Sequence, residues 1–410
     1  MASVRYLLWE AADALNRHKL PVALVVVAAV AVIVYLSLFH SVVAIPSAFG
    51  ASAPSYMYCA GSNFTMGSPA VMEYAKLSSA GIGEWASAGR MPINTTLVSC
   101  AANNNYLYCI EGHNKSATPV NNTQSAVYYA RISNASSLAW SATASYGVGF
   151  PSSCVAHLSY IYCRVMKRPI SINSVSSATP PIPSVVAANS VGASSTAAPQ
   201  YWEYARLTPG GITNWTSRPI LLKLVRGACT VSNTSVYCIG GYNYNPALPL
   251  KNQTIIPTRA SYSAPFNSSG AVGRFVSTTG YPIGVFGESC VTSRGYIYCI
   301  GGYSNTIISS SQKGALAGTS PISSAYYASF SNGTIGTWKQ TNNYPVDALG
   351  LHCVSSNSYV YCTGGFEALT GNISINSSYY APLSNEGIGS WTKTNSPNLK
   401  GFGNSCVVVQ

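Results

Sequence analysis

Twelve cysteines fall into a cyclic pattern along this 410-residue chain, and the pattern closes across its two ends. Five pairs share one spacing: Cys100/Cys109, Cys154/Cys163, Cys229/Cys238, Cys290/Cys299 and Cys353/Cys362. Two cysteines are left over. Cys406 sits in Gly403-Asn404-Ser405-Cys406-Val407, which reads like the first half of a pair such as Ser289-Cys290-Val291. Cys59 sits in Tyr56-Met57-Tyr58-Cys59, which reads like the second half, Tyr296-Ile297-Tyr298-Cys299. The sixth pair is therefore split between the chain ends. A linear array gives no reason for such a split, whereas a ring does.

Between paired cysteines lies a short polar segment, Asn103-Asn104-Asn105 or Asn357-Ser358, of residues that tolerate positive φ and close hairpins. The flanks alternate aromatic and β-branched residues, as in Tyr359-Val360-Tyr361-Cys362. Each unit thus predicts a hairpin whose two cysteines face each other within bridging distance. Behind each hairpin comes a Tyr followed by a Trp: Tyr74/Trp85, Tyr129/Trp140, Tyr204/Trp215, Tyr327/Trp338 and Tyr380/Trp391. In the sixth copy, Tyr262 to Phe275, Phe replaces Trp. These segments predict two further strands, giving four per repeat and six repeats. Pairing Cys59 with Cys406 closes the longest loop in the chain, which the chain-entropy model makes the most stabilising of the six bridges.

Double glycines follow a hydrophobic strand in Cys238-Ile239-Gly240-Gly241, Cys299-Ile300-Gly301-Gly302 and Cys362-Thr363-Gly364-Gly365. With the spaced Tyr and Trp behind them, they make residues 54–410 resemble kelch-type β-propellers. The resemblance implies an all-β fold of six four-stranded blades placed radially, hiding most sheet edges. Three repeats depart from the motif: Cys109 is followed by Ile110-Glu111-Gly112, Cys163 by Arg164-Val165, and Cys59 by Ala60-Gly61. A disulfide in every blade is also foreign to the ordinary kelch pattern.

Pro21 to Phe39 is an uncharged apolar run long enough to span a bilayer. Arg5, Arg17 and Lys19 precede it, and no Lys or Arg follows until Lys76. Positive-inside asymmetry then predicts a cytosolic segment over 1–20, a transmembrane helix over 21–40, a linker over 41–54 and an extracellular domain over 55–410. A cleaved signal peptide is the competing reading. The run is long for one, and the nearest small-x-small site, Ala51-Ser52-Ala53, lies far beyond it. Six disulfides require the same oxidising compartment, and no short Cys-x2-Cys spacing supports zinc.

Twelve N-x-[ST] sequons follow the run, at Asn63, Asn94, Asn114, Asn121, Asn134, Asn214, Asn233, Asn252, Asn267, Asn332, Asn372 and Asn376. Their turn-like contexts predict a glycan-coated surface. Charged residues are 8% of the chain, with a net charge of +12. The ectodomain carboxylates are few: Glu73, Glu84, Glu111, Glu203, Glu288, Asp347, Glu367 and Glu386. So small a set reads as adaptation to acid, since stability rests on few groups that must stay ionised. The basic residues are scattered and face outside the cell, which argues against nucleic acid as a partner.

Catalytic chemistry is not legible. His113, His157 and His352 lie in separate repeats with no convergent metal set, and no Gly-x-Ser-x-Gly elbow occurs. Ser331 to Trp338 is similar to a sialidase Asp box but lacks its Asp. The composition is similar to that of archaeal and other prokaryotic cell-surface proteins. The expectation is a non-enzymatic protein without cofactor or metal, which self-associates into a coat or S-layer-like lattice aided by long loops at 164–200, 242–258 and 303–322. The alternative is an adhesin or receptor, with Tyr242, Tyr244 and Tyr303 stacking on a glycan.

Overall fold

The computed structural model describes residues 54–61, 70–92, 98–111, 126–132, 138–145, 150–166, 200–220, 224–243, 256–267, 269–305, 319–367, 374–399 and 405–409. They belong to one compact unit, Pro54–Gln410. The described residues are all-β: six antiparallel sheets of four main strands each, consistent with a propeller-like fold. Among them no helix is long and apolar enough to cross a membrane. The segment expected to do so, 21–40, lies outside the described residues.

Sheet one takes its first strand, Ser405–Val409, from the end of the chain and its others, Tyr56–Gly61, Val71–Ser78 and Ala86–Arg90, from the beginning. Sheets two to six are each continuous in sequence. Their first strands are Val98–Asn103, Phe150–His157, Ala228–Val231, Ser289–Ser293 and His352–Ser356. Each first strand contacts the first strand of the next sheet, and that of sheet six contacts Ser405–Val409 of sheet one, which in turn contacts Val98–Asn103. The hydrophobic pattern explains the packing. The strand Ser235–Ile239 is buried at every position and Tyr359–Thr363 at all but its first, because second strands are covered on both faces.

Three sets of hydrogen bonds cross between sheets at repeated positions. The residue before the first cysteine accepts from the backbone of the following sheet: Ser405 Oγ from Cys100 N–H (2.9 Å), Ser99 Oγ from Cys154 N–H (3.0 Å) and Ser289 Oγ from Cys353 N–H (2.9 Å). His352 Nδ1 takes this role toward Cys406 N–H at 3.4 Å. The tyrosine before the second cysteine donates to the outer turn of the next sheet: Tyr162 to Gly270 O, Tyr298 to Ser384 O and Tyr361 to Ser78 O. The repeated tryptophan reaches backwards. Trp85 Nε1 donates to Asn395 O, Trp215 to Ala144 O, Trp338 to Thr279 O and Trp391 to Asn342 O. The Tyr and Trp spacing seen in the sequence therefore marks inter-sheet contacts as well as strands.

The double glycines bend the hairpins of sheets four to six. Gly240 and Gly241 have φ of 62° and 101°, Gly301 and Gly302 66° and 106°, and Gly364 and Gly365 73° and 95°. On the facing strand the matching bend falls at Arg226 (φ 59°), Gly287 (φ 67°) and Gly350 (φ 67°). Gly287 N–H donates to Arg226 O, and Gly350 N–H to Gly287 O, so the three bends are tied in series. Arg226 thus holds a left-handed conformation where its two counterparts are glycine. Replacing it, Arg226→Gly, raises stability by up to about 1 kcal/mol, read as a higher denaturant midpoint. A lower midpoint would show that side-chain contacts outweigh the backbone strain.

Candidate functional site

Residues of the first strands of the six sheets line a cavity of about 630 Å³. Its wall repeats one pattern, a small residue followed by a half-cystine, at Ser99-Cys100, Ser153-Cys154, Ala228-Cys229, Ser289-Cys290 and Ser405-Cys406. His352-Cys353 is the exception. The disulfides are Cys59–Cys406, Cys100–Cys109, Cys154–Cys163, Cys229–Cys238, Cys290–Cys299 and Cys353–Cys362. In each of the five sequential pairs and in the split pair, the two residues are directly opposed in register. Six such bonds suggest an oxidising environment.

Three ionisable side chains line this cavity: Arg226, Glu288 and His352. Two of them serve the wall. Glu288 is buried, 6% exposed, and its Oε1 accepts from Ala228 N–H at 3.1 Å. It thereby bridges sheets four and five, where Ala228 has no hydroxyl to offer. Burial pushes its carboxyl up to about 7, against the pull of backbone N–H groups and of Arg164. Burial lowers the Arg164 guanidinium to about 10, with Glu288 the main opposing influence. Arg164 reaches from sheet three toward sheet four, with Nη1 3.5 Å from Gly227 O. It occupies the position held by Ile239 and Ile300 in later repeats, which is why its charge is enclosed. Burial likewise pulls the His352 imidazole down to about 4, keeping Nδ1 free of a proton and able to accept from Cys406.

The remaining expected site residues are dispersed. His157 lies at a hairpin tip, donates from Nε2 to Asn233 O at 3.0 Å and stacks on Phe266. His113 is outside the described residues. Among the described residues no group of His, Cys, Asp and Glu could hold a metal. Glu73 and Glu203 occupy matching positions opposite Cys59 and Cys163. Of the sequons, Asn214, Asn233, Asn267, Asn332 and Asn376 are all exposed, while Asn63, Asn94, Asn114, Asn121, Asn134, Asn252 and Asn372 lie outside the described residues.

The glycan-stacking set needs correction. Tyr242 and Tyr303 are 3% and 2% exposed and pack on either side of Phe286, at ring distances of 5.2 Å each. Both follow a double glycine, whose bend turns them into short ribbons pairing Leu224–Val225 with Tyr242–Asn243, and Val285–Phe286 with Tyr303–Asn305. A ring so enclosed offers no face to a sugar. Tyr244 is outside the described residues. Sequence reasoning passed over Arg164 and Glu288 as a buried pair; the single signal was an arginine where the motif has an apolar residue. No family model and no curated protein matches the chain.

Proposed function

We propose that this chain is a structural protein of the cell surface. Its six sheets close into a six-bladed, kelch-type propeller, glycosylated and carried on one N-terminal membrane helix over residues 21–40. Copies pack side by side into a coat or S-layer-like lattice, with archaeal surface proteins as the compositional analogue. One observation carries this reading. The inter-sheet bonds run through all repeats and continue through sheet one, which is built from both ends of the chain and bridged by Cys59–Cys406.

The polar groups that could have served chemistry are used for this closure. Serine hydroxyls, Glu288 and His352 all accept backbone N–H groups of an adjacent sheet. Electron cryotomography of native envelopes, with the chain identified by labelling, tests the proposal. A periodic array in which this chain dominates the envelope fraction is expected. Sparse, isolated copies would overturn the coat and favour an adhesin.

A further inference from the structure

Second strands begin, and third strands end, on one face of the six sheets, and at this level sheets one to three differ from sheets four to six. In sheet one Tyr56 is paired with Lys76, in sheet two Tyr106 with Arg131, and in sheet three Tyr160 with Arg206. The matching pairs of sheets four to six are Ser235 with Pro265, Tyr296 with Ser329, and Tyr359 with Pro382. Three consecutive sheets thus repeat an exposed cation across from a partly exposed tyrosine, while the other three have none at that position.

The hairpin tips share this face, as hydrogen bonds between neighbouring tips show. Asn103 Nδ2 donates to Leu158 O, His157 to Asn233 O, Thr292 Oγ1 to Val231 O, and Ser355 Oγ to Thr292 O. At these tips Arg294 adds a fourth exposed cation, and Leu158, 73% exposed, is the most exposed large hydrophobic residue described. No ion pair holds Lys76, Arg131, Arg206 or Arg294 among the described residues. Two carboxylates, Glu84 and Glu386, share the face, so it is cationic on balance.

The chain also enters the sheets here. Ser55, just before the first strand of the described unit, accepts from Ser356 Oγ and Asn357 Nδ2 at the sheet-six tip. The first described residues of the unit, Pro54 and Ser55, therefore lie at this same face.

We propose that this face docks on anionic lipid headgroups, with Lys76, Arg131 and Arg206 as the principal contacts and Leu158 entering the interfacial layer. The proposal rests on the reading of 21–40 as a membrane anchor, which delivers the face to the bilayer; charge complementarity and the tyrosine rings then set its orientation. The exposed sequons at the turns of this face, Asn233, Asn267 and Asn332, fall on sheets four and five. Asn214, whose neighbour Thr213 bonds the Arg206 backbone, is the described sequon at the edge of the cationic arc.

The test uses the full chain in nanodiscs of phosphatidylcholine, with and without phosphatidylglycerol, and amide hydrogen exchange of residues 103–106, 157–160 and 293–296. Slower exchange in anionic discs, reversed by high salt and by the combined variant Lys76→Ser, Arg131→Ser, Arg206→Ser, is expected. Exchange that is the same in both lipids overturns docking. A chain that fails to enter discs at all refutes the anchor; docking is then judged by co-sedimentation with vesicles of the same two compositions. There the triple variant weakens binding to anionic vesicles on the order of a hundredfold, at about tenfold or less for each cation lost near the surface. Equal binding of wild type and variant overturns the proposal.

Discussion

Replacing Cys406 by Ser lowers stability by about 3 kcal/mol more than replacing Cys154 by Ser, because loop-closure entropy grows with the logarithm of the loop. The Cys59–Cys406 bridge spans a sequence separation of 347, and Cys154–Cys163 one of 9. Both bridges join directly opposed residues of paired strands, so local geometry does not distinguish them. What differs is the alternative left to the chain. Without Cys154–Cys163 the hairpin is still closed by its own turn. Without Cys59–Cys406 the strand Ser405–Val409 is held by its ladder to Tyr56–Gly61 and by contacts such as Cys406 N–H to His352. Denaturant unfolding without reductant measures the two variants side by side. Equal losses would mean that the terminal strand does not close the structure.

The strands and their registers were largely legible, because a hairpin with opposed cysteines leaves one register open and alternation fixes the faces. The contacts between sheets were not. The tyrosine before each second cysteine is visible as a repeat, but nothing local says that Tyr361 reaches Ser78, at the opposite end of the chain. The tryptophan read as a strand marker donates its Nε1–H to the preceding sheet, a partner set by packing of strands and invisible to periodicity. Tyr242 and Tyr303 were misplaced for a related reason. A glycine pair reads as a loop entrance, yet here the bent hairpin goes on pairing beyond it and buries both rings. Arg164 stood out as a departure from the motif. Its opposing charge, Glu288, comes from two sheets further on, beyond any sequence window.

The two titratable acceptors in the cavity wall give opposite pH dependences, and their sum is nearly flat. Glu288 has its folded pKa raised to about 7 from 4.5, so folding favours its protonated form. Its stability contribution is full below about pH 4.5 and is lost as the pH rises through 7, a change of about 3 kcal/mol. His352 has its folded pKa lowered to about 4 from 6.5, so folding favours its neutral form. Its contribution is full above about pH 6.5 and is lost as the pH falls through 4, again about 3 kcal/mol. Between them the two groups therefore leave the melting temperature nearly constant from pH 4 to pH 7, while His157, whose pKa burial also lowers, adds a rise with pH shared by the wild type and both variants. Glu288→Gln leaves the histidine alone, and stability then rises with pH across this window. His352→Ser, which installs the hydroxyl used at Ser99, Ser289 and Ser405, leaves the glutamate alone, and stability then falls with pH. Melting curves of the three proteins at half-unit intervals decide the matter. Parallel profiles in both variants would show that neither group is coupled to folding. The compensation is consequential because Glu288 and His352 line the same cavity wall and titrate over nearly the same pH window in opposite directions.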